Sequence, residues 1–219
     1  FAKNIAKSLN RKVTKISVGG INDEAEIIGH RRAYLGSSPG RIIQAMKKAG
    51  SINPVFLIDE IDKMTKDYKG DPASVLLEIL DPEQNKFFSD NYIEEEYDLS
   101  KVMFITTANY IENIPEALRD RLEIVELSGY TEYEKLSIAR THLIPKIAQE
   151  HGINKDGLIF KDEAIFKIIR SYTKESGVRE LERQIASIVR KIMTNMVMKR
   201  NIVNKYIIDE KKVKQYLGE

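Results

Sequence analysis

The stretch Val55-Phe-Leu-Ile-Asp-Glu-Ile-Asp62 runs four apolar side chains directly into two adjacent carboxylates. A wholly apolar run this short suits a strand covered on both faces, as strands of parallel sheets are. In such sheets ligands bind beyond the carboxyl ends of the strands, which places Asp59 and Glu60 at that edge. Successive side chains on a strand point to opposite faces, so the two carboxylates are aimed differently. That suits a division of labour in which Asp59 holds a magnesium ion through water and Glu60 orients the water attacking a terminal phosphate. The same eight residues also fit an acidic helix start after a core strand, where the helix dipole favours carboxylates.

Outward from this stretch, residues 1–127 alternate strand-like and helix-like segments, the pattern of a parallel sheet with helices on its faces. Val13–Val18, ended by Gly19-Gly20, is expected as a strand, as are Val102–Thr107 and Glu123–Leu127. Arg41–Lys48 and Ala73–Leu80 have helical spacing, the second opened by Asp71 as N-cap and Pro72 in the first turn. After Ser128-Gly129 the texture changes to long amphipathic segments at 131–150, 162–173 and 177–199, with joints at Gly152 and Gly157. A short strand at Tyr206–Ile208 and a last helix opened by Asp209 are expected to close the chain. The organisation expected is an α/β unit over 1–128 and a small all-α unit over 129–219.

Composition narrows the function classes. Lys plus Arg number 35 and Asp plus Glu 33, a net charge of +2, so no global field points to nucleic acid or an anionic membrane. With no cysteine there is no disulfide, thiolate zinc site or catalytic thiol. The longest apolar runs fall far short of the roughly 20 residues of a membrane span. The chain opens on Phe1, with apolar residues at 1, 5 and 9 along one helix face, and is expected to begin inside a helix of a longer protein. The histidines His30, His142 and His151 are scattered, and His30 is assigned to packing or hydrogen bonding.

Two further segments carry chemistry of the same kind. Val102-Met-Phe-Ile-Thr-Thr-Ala-Asn109 again runs from apolar to polar, and Asn109 could bond the attacking water or the leaving phosphate. Asn in a turn after a strand is also ordinary. Arg119-Asp-Arg121 precedes the next strand, and an arginine there could reach a phosphate on a neighbouring subunit, or be surface arginine.

The ordered series Gly29-His-Arg-Arg32, Tyr34-Leu-Gly36, Pro39-Gly-Arg41, Asn53 to Met64, Gly70-Asp-Pro72, Leu80-Asp-Pro-Glu-Gln-Asn85, Phe104 to Asn109, Leu118-Arg-Asp-Arg121, Leu127-Ser-Gly-Tyr-Thr131 and Ser176-Gly-Val-Arg-Glu-Leu-Glu-Arg183 covers nearly the whole chain. It resembles the ATPase (AAA+) module of the Lon-type ATP-dependent serine proteases. The resemblance implies ATP and Mg2+ as cofactors, Asp59 and Glu60 as the Walker B pair, Asn109 as sensor 1, Arg121 as a trans-acting arginine finger and Arg179 as sensor 2. It further implies that Tyr34-Leu35-Gly36 is a pore loop gripping unfolded polypeptide, with Tyr68 as a second contact. An aromatic gives a large, sequence-tolerant contact and the glycine lets the loop pivot. Partners implied are unfolded proteins and copies of the same chain in a ring of six, in a bacterial cytoplasm or alternatively a mitochondrial matrix.

A nucleotide site also needs a loop of the GxxxxGK[ST] type, and no such pattern occurs here. The resemblance places that loop immediately before the helix at Phe1–Leu9, together with a central strand of the sheet. The expectation is therefore an incomplete AAA+ domain that alone binds ATP poorly. Ser187 and Lys191 share a helix face at ordinary spacing, and the peptidase dyad is expected outside the chain. The rival readings are an AAA+ remodeller without proteolysis and a non-catalytic module that oligomerises or binds polypeptide.

Overall fold

Residues 55–58 form the strand their composition demands. In the computed structural model, which describes residues 1–65, 70–154, 157–199 and 205–218, β2 (Val55–Asp59) is the middle strand of a three-stranded parallel sheet. Its neighbours are β1 (Val13–Ser17) and β5 (Met103–Thr106). Val13 is registered with Val55 and Ser17 with Asp59, while Ile58 lies opposite Thr106. The chain divides into two compact units, Phe1–Val125 and Glu126–Glu219.

In the first unit the strand period sorts the core. Val55 packs with Ala2 and Ala6 of α1 (Ala2–Ser8), and Leu57 and Ile105 lie against the same cluster. Phe56 and Ile58 enter the larger core with Ile16, Ile42, Leu76, Ile79 and Leu118. The rings of Phe56 and Phe104 meet at 5.6 Å between centroids. That core is closed by α2 (Ala25–Ile28), α3 (Arg41–Ala49), α4 (Pro72–Leu80) and α5 (Glu116–Arg119). Asp71 accepts the Ala73 N–H and Pro72 opens α4, the expected start. A two-residue ribbon, β3 (Phe88–Ser89) against β4 (Glu96–Tyr97), follows α4, with Glu94–Glu96 exposed.

Two expectations are corrected. Glu123–Leu127 is not a strand: it pairs with nothing among the described residues and leaves Val125 69% and Leu127 78% exposed. Its apolar alternation is strand-like, but a strand forms only when its N–H and C=O groups find a neighbour, and β5 is the sheet edge. The alternative reading of Asp59-Glu60 as an ordinary helix start is not met among the described residues, where a single 3₁₀ turn, Ile61–Lys63, follows.

In the second unit, α6 (Glu132–Ile138) starts at a full capping box, Thr131 with Glu134. It continues through a π turn at Ala139–Leu143 into α7 (Ile144–Glu150). Pro145 has no N–H to give the carbonyl four residues back, which accounts for the altered pitch just before it. Helices α8 (Asp162–Tyr172), α9 (Arg179–Lys199) and α10 (Glu210–Leu217) pack Ile165, Ile168, Leu181, Ile185, Ile188 and Val213 into one core. Asp209 caps α10 through the Lys212 N–H, as expected. The expected strand at 206–208, β7 (Tyr206–Ile208), pairs in parallel with β6 (Leu158–Phe160), adding a two-stranded ribbon to a mostly helical unit.

Candidate functional site at the carboxyl edge of the sheet

Strand β2 delivers Asp59 and Glu60 to the edge where β1 and β5 also end. Asp59 accepts a hydrogen bond from Lys15 Nζ at 2.5 Å and a short one from the Thr107 hydroxyl, so strands on both sides hold it. Glu60 sits at φ 64°, ψ 46°, in the left-handed region that non-glycine residues rarely occupy. Its N–H reaches the Thr107 hydroxyl at 3.3 Å and its carboxylate pairs with Lys63. That bond raises the Lys63 pKa above its ordinary value. A Cβ on Gly19 would stand 2.5 Å from Glu60 Oε2, so glycine is what lets the Glu60 side chain lie there. Strained backbone at a polar edge is a pattern of functional sites.

Asn109 lies exposed on the loop after β5, close to the same edge. Its position is fixed by a residue to which the sequence assigned no role. Asp62, buried in the 3₁₀ turn, accepts the backbone N–H groups of Asn109 at 3.1 Å and Tyr110 at 3.2 Å. Ile61 N–H to the Thr107 carbonyl adds a third tie. Asp59, Glu60 and Asn109 are thus brought together by one bonded pair of loops.

Arg119 is half-buried and Arg121 is exposed, its Nη2 donating to Asp81 Oδ2 at 3.0 Å. Tyr34 and Leu35 are exposed at the tip of a loop with Gly36 at φ 81°. Tyr68 lies outside the described residues. Arg179, exposed, opens α9 in the second unit, whose start is fixed by Glu175 accepting the Leu181 N–H. The buried Lys135 donates to the Glu175 carbonyl. His30, assigned to packing or hydrogen bonding, is exposed, and its N–H bonds the Ser38 carbonyl. Lys191 donates to the Tyr216 carbonyl.

The donors at the sheet edge are carboxylate oxygens flanked by hydroxyl and amide groups, a set that suits a hard cation such as magnesium. The phosphate cradle is not supplied by the residues of this chain, which contains no GxxxxGK[ST] pattern. The chain therefore fits the metal side of a nucleotide site and not the phosphate-wrapping side.

Comparison with known proteins bears on the family of the chain. The model of the ATPase family associated with various cellular activities (AAA) matches residues 1–130, and that of the Lon protease AAA+ ATPase lid domain matches residues 149–206. The chain is 57% identical over 219 residues to Lon protease 1 of Bacillus subtilis, covering 100% of this chain and 28% of that protein. It is 57% identical over 218 residues to the Lon proteases of Dictyoglomus thermophilum and Ureaplasma parvum. The chain thus spans about 28% of the length of such relatives, over their ATPase portion.

Proposed function

Because the chain belongs to the AAA ATPase family and corresponds to the ATPase portion of Lon proteases, we propose that it powers an ATP-dependent serine protease, coupling ATP hydrolysis to unfolding, translocation and degradation of proteins. The observation that carries this reading is the joined edge of β2 and β5, where Asp59, the strained Glu60 and Asn109 meet. Asp59 would hold Mg2+, through water, and Glu60 would orient and deprotonate the attacking water. Asn109 would bond that water or the phosphate. A bound magnesium supplies neutralisation of phosphate charge. For Glu60 to face a water it must exchange Lys63, and for Asp59 to face a cation it must exchange Lys15; both partner lysines are exposed, which keeps these ion pairs of small worth.

In the same reading Arg121 acts on the nucleotide of a neighbouring copy in a six-membered ring, Arg179 senses nucleotide from the helical unit, and Tyr34-Leu35-Gly36 grips unfolded polypeptide. The α/β unit is assigned to 1–128 and the helical lid to 129–219. A bacterial cytoplasmic protein fits the relatives' sources and the lack, among the described residues, of any helix long and apolar enough to cross a membrane.

The test is ATP-dependent degradation of an unfolded model protein by the full-length gene product, wild type beside Glu60→Gln. The expected result is ATP binding retained with hydrolysis and degradation both lost. Wild-type ATP turnover without cleavage would make the protein a remodeller, and unchanged activity in Glu60→Gln would overturn the site.

A further inference from the structure

Asp90 is completely buried, yet among the described residues no cation is bonded to it. Its Oδ2 accepts the Gly40 N–H at 2.7 Å, and its Oδ1 accepts the N–H groups of Tyr92 at 2.9 Å and Ile93 at 3.1 Å. Burying a carboxyl group is costly unless its oxygens are satisfied, so a site with three backbone donors aimed at one side chain is a built feature. What it joins is the base of the loop that carries Tyr34, Leu35 and Gly36. Gly29 and Gly40 stand at the two ends of that loop, and a Cβ on either would collide: Gly29 with Asp90 Oδ1 at 2.6 Å, Gly40 with the Ile27 carbonyl at 2.0 Å. Asn91 adds its N–H to the Ile28 carbonyl at 2.7 Å and its Nδ2 to the Gly29 carbonyl at 3.2 Å.

The limb leading to Tyr34 is held by the same segment. Arg32 Nε donates to the Tyr92 carbonyl at 2.5 Å and Nη2 to the Ile93 carbonyl at 3.4 Å, with its guanidinium 5.2 Å from the Tyr92 ring centroid. Residues 90–93 therefore touch both limbs of a loop whose tip, Tyr34 and Leu35, is exposed.

We propose that residues 90–93, organised by Asp90 and completed by Arg32, are the platform against which the Tyr34 loop delivers force to a polypeptide, making Asp90 and Arg32 positioning residues for substrate pulling. This rests on the reading of Tyr34-Leu35-Gly36 as the gripping loop. A tip on a loose base would slip on its substrate, so ATP would be consumed without productive movement.

Asp90→Asn is the selective variant. Its remaining oxygen can still accept from Tyr92 and Ile93, but its amide nitrogen would face the Gly40 N–H, donor against donor. Arg32→Ala, on an exposed residue, breaks the other limb without touching the core and decides the matter if Asp90→Asn fails to fold. The readout in the full-length gene product is ATP hydrolysed per molecule of unfolded model protein degraded, with Tyr34→Ala alongside. General loss of folded enzyme lowers both quantities together and leaves this ratio unmoved. The expected result is a ratio raised about tenfold or more in Arg32→Ala and Asp90→Asn, since misplacing a positioned group by about 1 Å can cost up to about 10²-fold. Limited trypsin digestion, followed by mass, is expected to cut faster after Arg31 in both variants. An unchanged ratio and cleavage rate in both, with Tyr34→Ala raising the ratio, would overturn the platform. An unchanged ratio in Tyr34→Ala would overturn the gripping loop and the platform with it.

Discussion

Asp81 holds Arg121 while being held by its own backbone. The Glu83 N–H does most to keep its carboxyl below the ordinary aspartate value of 3.8; Arg121 and Gln84 add to this, and burial opposes it. A carboxyl whose folded pKa is depressed stabilises the fold above the ordinary value, and that contribution is lost as pH falls through the folded value. Asp81→Asn should therefore melt lower than wild type at neutral pH, with the gap narrowing as pH falls below about 4. A gap that stays constant across that range would show that the charge of Asp81 is not what matters. Asp81, Asp62 and Asp90 share one trait: each bonds groups 40 to 50 residues away in sequence. No local spacing reveals such a pairing, so Asp59 and Glu60, which follow an apolar run, are legible in the sequence and the three aspartates that tie distant segments together are not.

At the scale of elements, starts and stops were legible wherever the signal was local. Asp71-Pro72 opens α4 and Asp209 opens α10 because short polar side chains satisfy N–H groups that a helix leaves free in its first turn. Glu123–Leu127 had the right alternation and failed, since a strand is a property of two segments. β6 is not legible in the sequence because Leu158-Ile-Phe160 is too short to show a period. The capping box of α6 makes the local principle testable. Thr131 accepts the Glu134 N–H at 3.3 Å, and Glu134 accepts the Thr131 N–H and hydroxyl at 2.8 Å each. Thr131→Ala should destabilise the second unit by about 1 kcal/mol in chemical denaturation. The loss should be smaller in a Glu134→Ala background, which removes the reciprocal bond, because the two side chains act as one unit. Equal losses in both backgrounds would mean that the box is not cooperative.

Across the whole molecule, the proposed chemistry draws on groups that separate partners hold in this structure. Glu60 stands at the carboxyl edge of β2, while Arg121 is engaged with Asp81 after α5. If Arg121 serves a neighbour, Arg121→Ala should lower hydrolysis in the full-length gene product by about 10³, the usual loss for an arginine finger. Mixing then separates service to a neighbour from service to self. An Arg121→Ala subunit keeps its own Glu60, and a Glu60→Gln subunit keeps its own Arg121, so each supplies what the other lacks wherever they adjoin in the right order. In randomly mixed rings with head-to-tail contacts, about a quarter of the interfaces would be intact. Two proteins inactive alone should thus recover a measurable share of hydrolysis when co-assembled. Should co-assembly be verified and the mixture remain silent, Arg121 acts within its own chain, and the ion pair with Asp81 becomes its working position and not its resting one.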